Sequence, residues 1–293
     1  MKHLLVSTAL AVACAFALLA ADLPSLTDGG EHGDPPFVLE SGWKPLLNGK
    51  NLDGWQLLDP KKQGQWKAAS GVVWGGTLNP AVLTALPTPG DRIVNTDLDP
   101  KGNTSNIYTT EKFGDVELYI EFMVAQHTNS GVFLHALYET QIWDSWGFTP
   151  FHETDQCGAM YHYEGGPING IDGGIVPKER ADLPPGRWQS YHYWFQAPRF
   201  DASGKKTANA KFLRILHNGQ LIHENVERLG PTGASMKIPE APTNPLMLQG
   251  DHGVVAFRNI YIRPLRALPA TPAPAPQPSG DGPSARRPAP KQP

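Results

Sequence analysis

The chain has 293 residues and a formal charge of −3, with 40% hydrophobic and 18% charged residues, a balance that suits one large all-β domain or two small ones. No basic block stands in its central part, so the electrostatic footprint that a phosphate backbone requires is missing, which excludes nucleic acid and favours a neutral partner. With 30 glycines and 29 prolines, the composition favours tight turns between short strands over long helices, and eight tryptophans supply stacking surfaces.

Residues 1–21, "MKHLLVSTALAVACAFALLAA", combine a basic start, an apolar run from Leu4 to about Leu19 and small residues before Asp22. That is the pattern of a secretory signal peptide, and the expected location is periplasmic or extracellular. "AVAC", ending at Cys14, offers lipoprotein anchoring as the alternative. If Cys14 leaves with the signal, Cys157 is the one remaining thiol and no intrachain disulfide forms. No later apolar run reaches about 18 residues, so no further transmembrane helix is expected. Residues 22–36, with "DGGEHGDPP", read as a flexible leader, and the folded unit as 37–266. The Pro/Ala-rich tail 267–293 cannot bury enough apolar surface to fold and is expected to be disordered.

Inside the unit the pattern has period two. "DVELYIEFMV" (115–124) puts Val116, Leu118, Ile120 and Phe122 on one face and Glu117, Tyr119, Glu121 and Met123 on the other, the mark of a sheet with one buried side. "SGVFLHALYETQIWD", "GRWQSYHYWFQA", "KFLRILHNGQLIHENV" and "VVAFRNIYIRPL" read as further strands. Asn-Gly within "HNGQ" supplies the positive φ angles of a type I′ hairpin. No amphipathic helical stretch of twelve or more residues occurs, so an all-β sandwich is expected. The Gly/Pro-rich segment 164–185 breaks the rhythm, either as a rim or lid over a site or as a surface insertion.

Two constellations carry chemistry. Glu139 and Gln141 share a strand face, and one bulged residue would return Asp144 to it, leaving Tyr138, Ile142 and Trp143 for the other side. Two carboxylates flanking an amide can protonate a leaving oxygen, accept a proton and orient a sugar hydroxyl. Trp143 and Trp146 beside them offer faces on which sugar rings stack, although a solvated edge strand would show the same spacing. In "LMLQGDHGVVAFRNIYIRP" (246–264), Gln249, Asp251 and His252 occupy a glycine-flanked bend, with Arg258 and Asn259 on the next strand. A histidine beside an acid is an acid or base candidate, and a turn capped by Asp251 is the plain structural alternative. His135 and His162 could join Glu139 or Asp144 around a divalent metal, but no His-x-His or His-Glu-x-x-His spacing marks one, so no cofactor is expected. Cys157 reads as a small buried residue. No Gly-x-Ser-x-Gly elbow, phosphate loop or dinucleotide fingerprint is present.

Five stretches taken together, "LLNGKNLDGWQ", "NSGVFLHALYETQIWDSWG", "GAMYHY", "HNGQLIHENVERLGPTG" and "LQGDHGVVAFRNIYIRP", resemble the 3-keto-disaccharide hydrolase domain, in order over residues 40–265. The resemblance implies a concanavalin A-like jelly roll related to laminarinase-type glucanases, secreted or periplasmic, with a carbohydrate substrate. Members commonly carry Arg where this chain has His135. The related glucanases read Glu-x-Asp-x-x-Glu, so Glu139, Gln141 and Asp144 keep the spacing with an amide in the middle and a shortened last acid. Retaining hydrolysis needs two carboxylates about 5 Å apart, and these substitutions argue against it. The activity implied is cleavage of 3-keto-glycosides, in which the ketone acidifies the C2 proton and the C1 group is expelled. On that reading Glu139 is base or acid, His252 its complement and Asp144 an orienter. Gln141 and Arg258 donate to sugar oxygens, and His135, Trp143, Trp146, His162 and Asp251 line the substrate. The alternatives are a non-catalytic carbohydrate-binding module using the same face and an ordinary laminarinase-like glucan hydrolase.

Overall fold

The computed structural model of the protein describes residues 41–62, 66–76, 82–96, 104–148, 154 and 156–268. The expected signal peptide, the leader and the tail from residue 269 lie outside them. No helix occurs among the described residues. The first strands are β1 (Lys44–Pro45), β2 (Trp55–Leu57), β3 (Trp66–Ala69), β4 (Val72–Trp74), β5 (Leu83–Ala85) and β6 (Arg92–Asn95). The middle of the chain gives β7 (Ile107–Phe113), β8 (Val116–Val124), β9 (Asn129–Leu134), β10 (Tyr138–Trp143), β11 (Gln189–Gln196) and β12 (Arg199–Phe200). The last are β13 (Lys206–Ala208), β14 (Ala210–His217), β15 (Gln220–Arg228), β16 (Asn244–Leu248) and β17 (Val255–Pro264).

They form a jelly-roll β-sandwich. The larger antiparallel sheet runs β15-β14-β11-β8-β17-β6-β3, with β1 added on β17, and the smaller runs β10-β9-β16-β7-β2. The core lies between them, with Leu118, Ile120 and Phe122 of β8, Tyr191 and Tyr193 of β11 and Phe257 of β17 meeting Val132, Leu134, Tyr138, Ile142, Leu246 and Leu248 of the smaller sheet. The β14–β15 hairpin turns through Asn218 (φ 49°) and Gly219 (φ 74°), as the Asn-Gly signal requires. The rim segment is fastened rather than loose. Met160 bridges Thr140 of β10 on one side and Ile175 on the other. The fully buried Arg228 donates to the Gly173 and Tyr161 carbonyls and lies 4.5 Å over the Tyr163 ring.

One expectation fails on β8, where every residue is buried and not one face only. Its polar face meets protein instead of water. Glu121 Oε2 accepts from Arg258 Nε at 2.7 Å, and Glu117 Oε2 accepts from Arg263 Nε at 2.7 Å while its Oε1 pairs with His192. The two guanidinium groups lie over Trp188 and Trp43, at 4.2 and 4.4 Å. Burial works to raise the Glu117 pKa, yet the bonds from His192 and Arg263 outweigh it and hold the carboxyl below its ordinary value. Alternation reports polarity, and a polar face roofed by arginine and tryptophan has the same pattern as a solvated one. Replacing Arg258 by methionine removes a cation from the fully buried Glu121, and about 3–5 kcal/mol should disappear from a urea titration. A loss below about 1 kcal/mol would show that this pair does not hold the face.

Candidate functional site

β10 pairs with β9 without a break in register, from Tyr138 opposite Leu134 to Trp143 opposite Asn129. Alternation therefore turns Glu139, Gln141 and Trp143 away from the core, while Tyr138 and Ile142 enter it. Two expectations are corrected here. Trp143 shares the face of Glu139, and no bulge brings Asp144 back to it. Asp144 lies past the end of the strand, where its amide bonds to Thr128 O and its Oδ2 accepts from His127 N at 2.8 Å, holding the turn at 125–128.

The face acquires its shape from a glycine. Gln249, one residue past β16, donates its amide to Gly131 O at 2.9 Å, so Gln141, Gly131 and Gln249 form one row across three adjacent chain segments. A Cβ at Gly131 would stand 2.2 Å from Glu139 Oε1 and 3.0 Å from both Glu139 Cδ and Phe133 Cε2. The missing side chain is what lets Glu139 lay its carboxyl over β9. Among the described residues, Glu139 Oε1, Gln249 Oε1 and Asn129 Oδ1 are buried on this face without a hydrogen-bond partner. Buried acceptors left unmatched by protein call for donors from a ligand, and hydroxyl groups supply them.

Electrostatics separates two roles. Glu139 is 2% exposed, and burial first, then the charge of Asp251, push its carboxyl well above the ordinary range, so it holds its proton. Asp251 Oδ1 bonds His252 Nδ1 at 2.7 Å in the bend after β16. That bond, opposed by burial and reinforced by the Asp251 charge, raises the His252 pKa above its ordinary value.

The remaining expected residues disperse. Arg258 alternates with the core residue Phe257 and points to the opposite side of the larger sheet, against Glu121, so it cannot serve a ligand at Glu139. His135 turns inward after β9 with φ 56°, its ring 5.0 Å from that of Phe195, and burial lowers its pKa to about 4; it is a neutral packing residue. His162 stays on the rim, its ring nitrogens bonded to Asp172 and to Thr154. Trp146, in the turn beyond β10, is 41% exposed. Gly131 and Asn129 were not among the expected site residues, and Gln249 was expected in the second constellation without a role, although a glycine inside the strand "NSGVF" is itself a signal of close approach. No cluster of three or more His, Cys, Asp or Glu side chains suited to a metal ion occurs among the described residues.

Residues 42–263 match a family model described as the 3-keto-alpha-glucoside-1,2-lyase-like domain. Among solved structures, a protein of Parabacteroides distasonis ATCC 8503 assigned as a glycosyl hydrolase aligns with a TM-score of 0.53 at 24% identity, over 81% of this chain and 89% of its own. A second such protein of that organism gives 0.47 at 20% identity, over 76% and 99%. The first establishes a shared fold. No match was found among curated proteins.

Proposed function

The chain belongs to the 3-keto-alpha-glucoside-1,2-lyase-like domain family, and from that premise we propose that it cleaves the C1–O bond of glycosides whose sugar ring carries a ketone at C3. The observation that carries the reading is Glu139: a buried, proton-holding carboxyl laid over Gly131, with one oxygen unpartnered among the described residues and its pKa raised in part by the charge of Asp251, which bonds His252. His252 removes the C2 proton that the ketone has acidified. The electron pair forms the C1=C2 bond as C1–O breaks, and Glu139 gives its proton to the departing oxygen. Amide groups of Gln141 and Gln249 stabilise the charge that develops on the C3 oxygen. Water added across the resulting enone makes the net reaction a hydrolysis. Export through residues 1–21, to the periplasm or beyond, belongs to the same reading.

Incubation of the purified protein with 3-keto-trehalose and with trehalose tests this. Cleavage of the oxidised sugar alone is expected. Equal cleavage of both would mean ordinary hydrolysis, and binding without turnover would mean a carbohydrate-binding module; either result sinks the proposal.

The pH profile follows from the two shifts. The acidic limb of kcat/KM reports loss of the His252 proton, above the ordinary 6.5, and the alkaline limb reports ionisation of Glu139. Asp251 raises both groups, so Asp251→Asn should move both limbs to lower pH. Limbs that stay in place, or move apart, would remove Asp251 from the site.

A further inference from the structure

Adjacent residues of an extended chain point to opposite sides, so Asp251 and His252 can meet side by side only in a folded bend. Both residues are exposed, so apolar packing of their side chains does not keep that bend closed. Its backbone is held from the larger sheet. Asn95 ends β6, opposite Trp66 of β3 and Val255 of β17. It alternates with the core residue Ile93, so its side chain enters the space between the sheets, where it is 0% exposed. There Asn95 Nδ2 donates to Gly250 O at 2.7 Å and to Gly253 O at 2.9 Å. A side-chain amide carries two N–H donors, and here they reach the two ends of one bend. Gly250 N in turn donates to Asn106 Oδ1 at 2.9 Å. A Cβ at Gly250 would stand 2.6 Å from Ser105 O and from Trp66 Cζ2, and one at Gly253 2.8 Å from Thr128 Cβ, so both glycines are what lets the backbone sit this close.

We propose that Asn95 is a positioning residue for the acid–base pair: from the larger sheet it clamps both ends of the Gly250–Gly253 bend and so keeps Asp251 in contact with His252. It acts through the backbone and touches no reacting group. The inference rests on the proposed function, in which His252 is the base. Among the described residues Asp251 is the one charged group that shifts His252: its bond raises the imidazole pKa, burial opposes it, and its charge adds to the bond. Second to burial, the same charge raises Glu139. An opened bend therefore lowers both groups together.

An NMR titration of His252, read beside kcat and KM on 3-keto-trehalose, tests the clamp. In Asn95→Ala the His252 pKa should fall to about 6.5 or below, and kcat should drop about tenfold or more while KM stays within about threefold. Asn95→Ser keeps one donor, enough for one carbonyl, and should lie between the wild type and alanine in both readouts; it carries the test if the alanine variant does not fold. Val94→Ala shortens the neighbouring buried side chain on the other face of β6 and should leave the His252 pKa in place. A His252 pKa unmoved by the loss of Asn95, or lowered as much by Val94→Ala, overturns the inference, and so does failure of both Asn95 variants to fold. If the wild type turns over no 3-keto sugar the functional reading falls, and the titration, which needs no substrate, still decides whether Asn95 holds the bend.

Discussion

Glu139→Gln should lower kcat by about 10²–10⁴-fold, or roughly 3–5 kcal/mol of barrier, while the protein becomes no less stable. The amide matches the carboxyl in shape and cannot deliver a proton to the leaving oxygen. Stability moves the other way because of linkage. In the folded protein the carboxyl holds its proton to a pH well above the ordinary 4.5, so over that window the native state binds more protons than the unfolded chain. Wild-type stability contributed by this group is therefore complete below about pH 4.5 and is lost as pH rises through the raised value. Glutamine has no charge to bury and escapes that loss. Thermal melts from pH 4 to pH 9 should coincide at the acid end and separate upward, the variant melting higher. Full activity in the variant would remove Glu139 from the chemistry, and parallel melting curves would show that its carboxyl is solvated. A site that costs stability in its resting state is what a preorganised acid in a desolvated position produces.

The parts of the fold and site legible in the sequence are those set by local periodicity. Alternation placed Glu139 and Gln141 on one face, and Asn218-Gly219 marked its hairpin, because both depend on neighbours two residues away. The errors come from contacts that local sequence does not encode. Arg258 follows His252 by six residues, but between them the chain leaves the smaller sheet and enters the larger one, where alternation with Phe257 turns the guanidinium to the far side. Asp144 needed a bulge to join Glu139, and a strand that simply ends after Trp143 removes that option. The buried face of β8 was misread because Glu117 and Glu121 find their arginines on β17, about 140 residues away in sequence. The packing of Met236 over Phe133 is equally non-local, since Met236 arrives from the segment between β15 and β16.

Gly131→Ala is expected to be the sharper test of geometry, because it alters no reacting group. The added methyl would stand 2.2 Å from Glu139 Oε1, and reaching an ordinary contact moves the carboxyl by more than 1 Å. The Phe133 ring, at 3.0 Å, closes one direction of escape, and its burial under Met236 prevents it from yielding freely. Gly131 lies inside β9 and is not among the positive-φ glycines, so alanine imposes no backbone strain and the strand persists. Overpacking should cost about 1–3 kcal/mol in a urea titration. A misplacement of this size should lower kcat by about a hundredfold, with the Asp251–His252 limb of the pH profile unmoved. If kcat stays at the wild-type value while stability falls as stated, the carboxyl over Gly131 is packing and the acid lies elsewhere. If both fall together and Gly131→Ser behaves like alanine, the open floor of β9 is what sets the reach of Glu139.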